Sequence, residues 1–121
     1  MLDKVNIAEA FSRFQDAWSP KIAGEVNGVQ IRLAKFRGEF IWHHHEREDE
    51  LFLVNKGTLL IRFRDREVRL TVGEFIIVPH GVEHQPVAET DECEIVAITP
   101  RTTLNTGNVE NERTVRNLAP I

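Results

Sequence analysis

Trp42–Gly57, WHHHEREDELFLVNKG, sets three consecutive histidines, a run of acids and an apolar run closed by glycine side by side. His43 and His45 alternate, and alternate side chains of an extended strand point to one face. Glu50 stands at the start of the next apolar run, Leu51–Val54, so an antiparallel return can set it opposite the two histidines. A second stretch, Gly73–His84 (GEFIIVPHGVEH), ends in another histidine. We read His43, His45, Glu50 and His84 as the ligands of one metal ion. Neutral imidazole suits Fe, Mn, Ni, Co, Cu and Zn, and a carboxylate adds one hard, negative donor. The set is too rich in nitrogen for Ca or Mg. His44 is expected to face away from the other two. Glu46, Glu48 and Asp49 fall in the connecting loop, where charge is usually solvated. His80 lies in the turn before His84, either behind the ligands or on the surface, and it or an acid of the Glu46–Asp49 loop is the candidate proton carrier.

Outward from these two stretches the chain alternates with a period of two. Lys21–Val26 and Val29–Phe36 flank Asn27-Gly28, a strong hairpin signal. Further strands are expected at Glu39–His45, Glu50–Val54, Leu59–Arg64, Glu67–Val72 (Val68, Leu70 and Val72 inward), Phe75–Val78, Gln85–Ala88 and Cys93–Thr99. Short strands at regular spacing predict an antiparallel sandwich or barrel. Before them, Ile7, Phe11 and Phe14 recur at helical spacing, so a short N-terminal helix is expected over roughly 6–14. With Trp18 it is expected to pack on the outside of the barrel or on a partner subunit. The organisation expected is a helical segment over 1–20, a barrel over 21–100 and a polar C-terminal tail over 101–121. The tail is expected to lie on the barrel or on a partner subunit.

The chain has 121 residues, enough for one domain with a real core. Its formal net charge of −4 argues against nucleic acid as the main partner. No membrane-spanning run, secretory leader or sequon is read in it, and Cys93 is the single cysteine. A reduced, cytoplasmic protein is therefore expected. Glu92 and Glu94 flank Cys93, and neighbouring acids disfavour a thiolate nucleophile. The alternating Arg62, Arg64, Arg66 and Arg69 read as a solvated face. Trp42 and Phe52 read as core.

At the histidines the sequence resembles the cupin superfamily, as a small single-domain cupin. The family's first motif is matched by Gly38, four residues where the family has five, His43-x-His45, four residues, Glu50, six residues and Gly57. The second is matched by Gly73, five residues, Pro79-x-Gly81, two residues and His84, with Ala88 where the family has asparagine. The resemblance covers about 38–88. It implies an all-β, antiparallel jelly-roll barrel (a double-stranded β-helix) with the metal in the barrel mouth. It does not name a reaction, because one fold hosts many functions.

Two function classes stay open. In one, the chain is a metalloenzyme for a small organic molecule: a dioxygenase, or a sugar isomerase, epimerase or lyase. In the other, it is a small-molecule-binding cupin without turnover. No Ser/His/Asp or Cys/His nucleophile system, phosphate-cradling loop or dinucleotide fingerprint is present. One divalent transition metal per chain is the cofactor expected. Its affinity is expected to weaken as pH falls through the histidine range near ~6.5. A homodimer is expected, because open barrels leave edge strands and the apolar face of Ile7, Phe11, Phe14 and Trp18 needs covering.

Overall fold

Period-two alternation becomes eight strands in the computed structural model, which describes residues 3–121. They are β1 (Lys21–Val26), β2 (Val29–Phe36), β3 (Glu50–Lys56), β4 (Leu59–Phe63), β5 (Glu67–Leu70), β6 (Phe75–Val78), β7 (His84–Ala88) and β8 (Cys93–Pro100). One helix, α1 (Ile7–Phe11), precedes them. The strands form two antiparallel sheets, one in the order β1-β2-β8-β3-β6 and one in the order β5-β4-β7. The fold is the expected jelly roll. The β1–β2 hairpin turns on Asn27 and Gly28, both at positive φ, the conformation a two-residue turn demands.

The main core lies between the sheets and includes Phe36, Phe52, Val54, Leu59, Ile61, Val78 and Ile95. A second core lies outside the five-stranded sheet, where Ala10, Phe11 and Phe14 cover Leu33 and Val96. Because β2 is packed on both faces, its last five residues are all buried.

The N-terminal segment departs from expectation in two ways. The helix is shorter than 6–14: Asn6 caps it, accepting from the Glu9 N–H at 2.9 Å, and it ends at Phe11. The chain then leaves the helix because other partners take its backbone. The Phe14 carbonyl accepts from Lys35 Nζ at 2.7 Å, and Trp18 N donates to Lys35 O at 2.8 Å. Trp18 is not on the outside. It enters the main core at φ 59°, stacked between Phe36 and Phe40 with ring centroids 4.3 and 4.5 Å away. Phe11, Phe14 and Trp18 are thus buried by their own chain, which removes that part of the argument for a partner.

Other expectations need correcting. Glu39–His45 is not a continuous strand. Its backbone pairs with β7 at isolated bridges, Glu39 with Val87 and His43 with His84. Side chains take carbonyls that a ladder would use: Gln85 Nε2 donates to Phe40 O at 3.0 Å, and His43 Nδ1 lies 2.9 Å from Ile41 O. β5 stops at Leu70, and Val72 is exposed rather than inward. Trp42 is half-buried under the guanidinium of Arg64, 3.8 Å from the ring centroid, and is not part of the core. Among the described residues no helix is long and apolar enough to cross a membrane.

Candidate metal centre

Three imidazoles meet in the barrel interior. His43 comes from the irregular segment beside β7, His84 opens β7 and lies directly across from it, and His45 follows two residues after His43. Backbone bonds in both directions, His43 N to His84 O at 3.0 Å and His84 N to His43 O at 2.9 Å, lock the first two into register. All three are at most 4% exposed, and each offers a ring nitrogen within 4.8 Å of the others. Their ring centroids lie 4.4 to 5.7 Å apart.

The outer ring nitrogens are set by local backbone. His43 Nδ1 is 2.9 Å from Ile41 O, and His84 Nδ1 is 2.9 Å from Val82 O, the carbonyl two residues back in each case. A carbonyl only accepts, so in both rings Nδ1 carries the proton and Nε2 presents a lone pair. Metal-binding histidines are commonly oriented this way. The Nε2 atoms of His45 and His84 are buried and have no hydrogen-bond partner. Burying a polar atom unpaired is costly, and these two nitrogens suit coordination of a cation.

Glu50 is brought alongside. Its Oε1 lies 3.2 Å from His45 Nε2, near in distance but without hydrogen-bond alignment, and it falls outside the mutual set of three. Burial pushes its carboxyl up, but the close approach of His45, with His84 and His43 behind it, outweighs that and holds it below the usual range. Burial pulls His43 down to about 3, aided by neighbouring His84, and burial also lowers His84. Both rings are therefore neutral at pH 7 without any metal. The acid window for His43 lies well below the ~6.5 of a free imidazole, a shift that spacing alone did not anticipate.

His44 points elsewhere, with Nε2 3.7 Å from Glu46 on the surface side. His80 is not part of the cluster. It is exposed, and its N–H and Nδ1 each lie 2.9 Å from Asp49 Oδ1. Those contacts hold the Asp49 carboxyl below its usual range. The turn that carries His80 is tied to the cluster one residue on, where Gly81 N donates to His45 O at 2.7 Å.

Beside the cluster is a narrow cavity of about 40 Å³, walled by Trp18, Phe36, Phe40 and Phe52, with Arg32 and Glu50 as its charged groups. Sequence reasoning missed Arg32 and Trp18. Arg32 is 2% exposed and donates to Gln30 Oε1, Thr103 O and Arg101 O. It looked like any polar residue alternating on a strand. Of the alternating arginines, Arg62, Arg64 and Arg69 form ion pairs with Glu39, Glu83 and Glu89, the first at 2.7 Å. Cys93 is buried and donates to Thr58 O at 3.0 Å. Burial, the largest effect, raises its pKa, so the reason it is no nucleophile is burial and not the flanking acids.

Comparison with known proteins agrees with this fold. The family model described as "Cupin domain" matches residues 31–99. A protein of Bacillus subtilis (strain 168) named "Uncharacterized protein YdbB" is 47% identical over 62 residues, 50% of this chain and 55% of that one. The chain thus matches just over half the length of this relative. Among solved structures, a cupin-2 domain containing protein from Shewanella frigidimarina NCIMB 400 is 46% identical. It superposes with a TM-score of 0.77 over 79% of this chain and 93% of that one. Protein NMB1881 from Neisseria meningitidis is 27% identical, with a TM-score of 0.74 over 81% and 99%. KdgF from Halomonas sp. is 30% identical, with a TM-score of 0.58 over 67% and 78%.

Proposed function

Since this chain belongs to the cupin family and buries three converging imidazoles, we propose that it is a metal-dependent enzyme acting on a small organic molecule. The observation that carries the reading is the pair of buried, unpartnered Nε2 atoms on His45 and His84. The proposed ligands are His43, His45 and His84 through Nε2, with Glu50 as the fourth. The cofactor is one divalent transition metal per chain: Fe, Mn, Ni, Co, Cu or Zn. Such an ion supplies Lewis acidity toward a carbonyl or hydroxyl oxygen and, if it is iron, redox chemistry toward dioxygen.

The chain's own residues supply the rest. Ile41 O and Val82 O hold the tautomers of His43 and His84. Trp18, Phe36, Phe40 and Phe52 exclude water and receive the apolar part of the substrate. His80, with Nδ1 engaged by Asp49, keeps Nε2 free to hold a proton at the rim. The preferred chemistry is dioxygenation, because a histidine-rich site suits Fe(II). The compartment proposed is the cytoplasm. A second copy of the chain is proposed to cover the β6 edge, which pairs only with β3 and exposes Phe75 and Ile77. Light scattering giving a monomer mass at micromolar concentration would exclude the dimer.

Elemental analysis of untagged protein should find one metal per chain, with His84→Ala and Glu50→Ala each strongly depleted. Oxygen uptake by iron-loaded protein is then read on thiol, diketone and phenolic substrates. Turnover that is unchanged without oxygen, or with Zn in place of iron, excludes dioxygenation and selects isomerase or lyase chemistry. No turnover, together with a ligand retained in the barrel, selects a binding protein.

A further inference from the structure

The C-terminal segment lies outside the family match at 31–99, yet it reaches the ligand-bearing segment directly. Asn108 grips both backbone groups of His44, the residue between two proposed ligands. Its Oδ1 accepts from His44 N at 2.9 Å, and its N–H donates to His44 O at 3.0 Å. Gly107, at φ 57°, packs so closely that a methyl group there would sit 2.2 Å from His44 O and 2.9 Å from Cδ2 of the His43 ring. Cδ2 is bonded to Nε2, so the contact falls beside the atom proposed to bind metal. The strap is itself anchored. Thr106 is fully buried and its Oγ1 is 2.7 Å from Thr114 Oγ1, while Asn105 accepts from Val115 N at 2.9 Å and donates to Arg113 O at 2.8 Å. At its root Thr103 meets Thr99 at 2.8 Å, and Thr99 donates to Asp49 O at 2.9 Å, one residue before Glu50.

From this we infer that Gly107 and Asn108 are positioning residues that hold the His43 and His45 imidazoles in ligating geometry. The inference rests on the metal reading above. Residues 44–49 belong to no strand, so the His44 backbone has no ladder to fix it. The His43 ring is then held at Nδ1 by Ile41 O, and beside Cδ2 Gly107 leaves no room for even a methyl group. A strap that served only to cover the barrel would need neither so close an approach beside the ring nor a two-point grip on one residue's backbone.

Cobalt(II) is the probe, added to full-length protein stripped of metal by chelation. Asn108→Ala should weaken cobalt binding by ~10–100-fold, the range for groups that orient ligands, and should shift the visible absorption bands that report coordination geometry. Asn108→Asp keeps an acceptor for the His44 N–H and should restore the bands. The bands are the rescue readout, since an added negative charge aids any cation. Gly107→Ala should shift the bands as well. If that variant does not fold, the two Asn108 variants decide. The melting temperature of metal-free Asn108→Ala should stay near that of the parent. Parent-like affinity and spectrum in Asn108→Ala overturn the inference, as does an affinity loss matched by an equal loss of metal-free stability. In metal-free protein, the His43 ring proton signals should move in Asn108→Ala and return in Asn108→Asp. Unmoved signals overturn the inference without reference to metal. Failure of the parent to take up cobalt overturns the metal reading instead.

Discussion

The barrel interior has two halves that differ in how their atoms are satisfied. In the apolar half, Trp18 stacks between Phe36 and Phe40, Phe52 meets Phe36 edge-on, and the one polar side-chain atom of these four, Trp18 Nε1, donates to Arg37 O at 2.9 Å. In the histidine half, two buried ring nitrogens have no partner. One half is complete as folded; the other leaves two nitrogens that, on the reading proposed above, a metal would engage. Stability should therefore reside in the first half and metal response in the second, and substitutions in each should separate the two.

The largest effect is expected from Trp18→Ala. Emptying a buried aromatic site costs ~3–5 kcal/mol, and alanine keeps the unfavourable positive φ at this position. Urea unfolding of metal-free protein measures the loss. Metal content of the folded fraction should be unchanged. A Trp18→Ala protein of parent stability would break the division between the halves.

How much of this was legible in the sequence follows the same division. The strands, and the meeting of His43, His45 and His84 with Glu50 alongside, were readable because alternation and motif spacing record which side chains share a face. The position of Trp18 was not, since one residue at φ 59° turns a side chain inward with no periodic trace. Glu39–His45 looked like a strand because its pattern alternates. The carbonyls of Phe40 and Ile41 go instead to the side chains of Gln85 and His43, which no pattern records. The C-terminal segment was the least legible part. It is held by scattered contacts, among them the side-chain-to-backbone bonds of Asn105, Asn108 and Arg113, and such bonds leave no period.

Next in size is the metal's own contribution. A ligand that binds only the native state, at a hundredfold excess over its Kd, stabilises by about 2.7 kcal/mol. Melting with and without a chelator should show that difference in the parent. His84→Ala should abolish it, because one of the two orphaned nitrogens is gone. Equal melting temperatures at confirmed metal loss would show that the histidine half needs no occupant.

Acid should then unsettle the histidine half alone. His43 is held at about 3 when folded and returns to ~6.5 when unfolded. Between those values the unfolded chain binds the extra proton, so stability falls as pH falls through the window and levels off below it. For His43 the loss is ~2 kcal/mol by pH 5 in metal-free protein, and lowered His84 adds to it in the same direction. Urea midpoints at pH 7 and pH 5 measure it. His43→Phe should flatten the profile, and a profile equally steep in that variant would place the proton uptake elsewhere.

The smallest effect is expected where the sequence looks most alarming. His44 sits in the middle of the histidine run, yet its ring turns away from the cluster toward Glu46, and only its backbone is engaged by Asn108. Alanine keeps that backbone N–H and carbonyl. His44→Ala should therefore stay within ~0.5 kcal/mol of the parent, as surface substitutions usually do, and should retain its metal. Asn108→Ala, which removes a partner of the same peptide unit and leaves all three histidines in place, should disturb the metal more. Elemental analysis of the two variants side by side decides the matter. If His44→Ala is the one that loses metal, the strand register is wrong by one residue and the two halves of the interior have been drawn around the wrong rings.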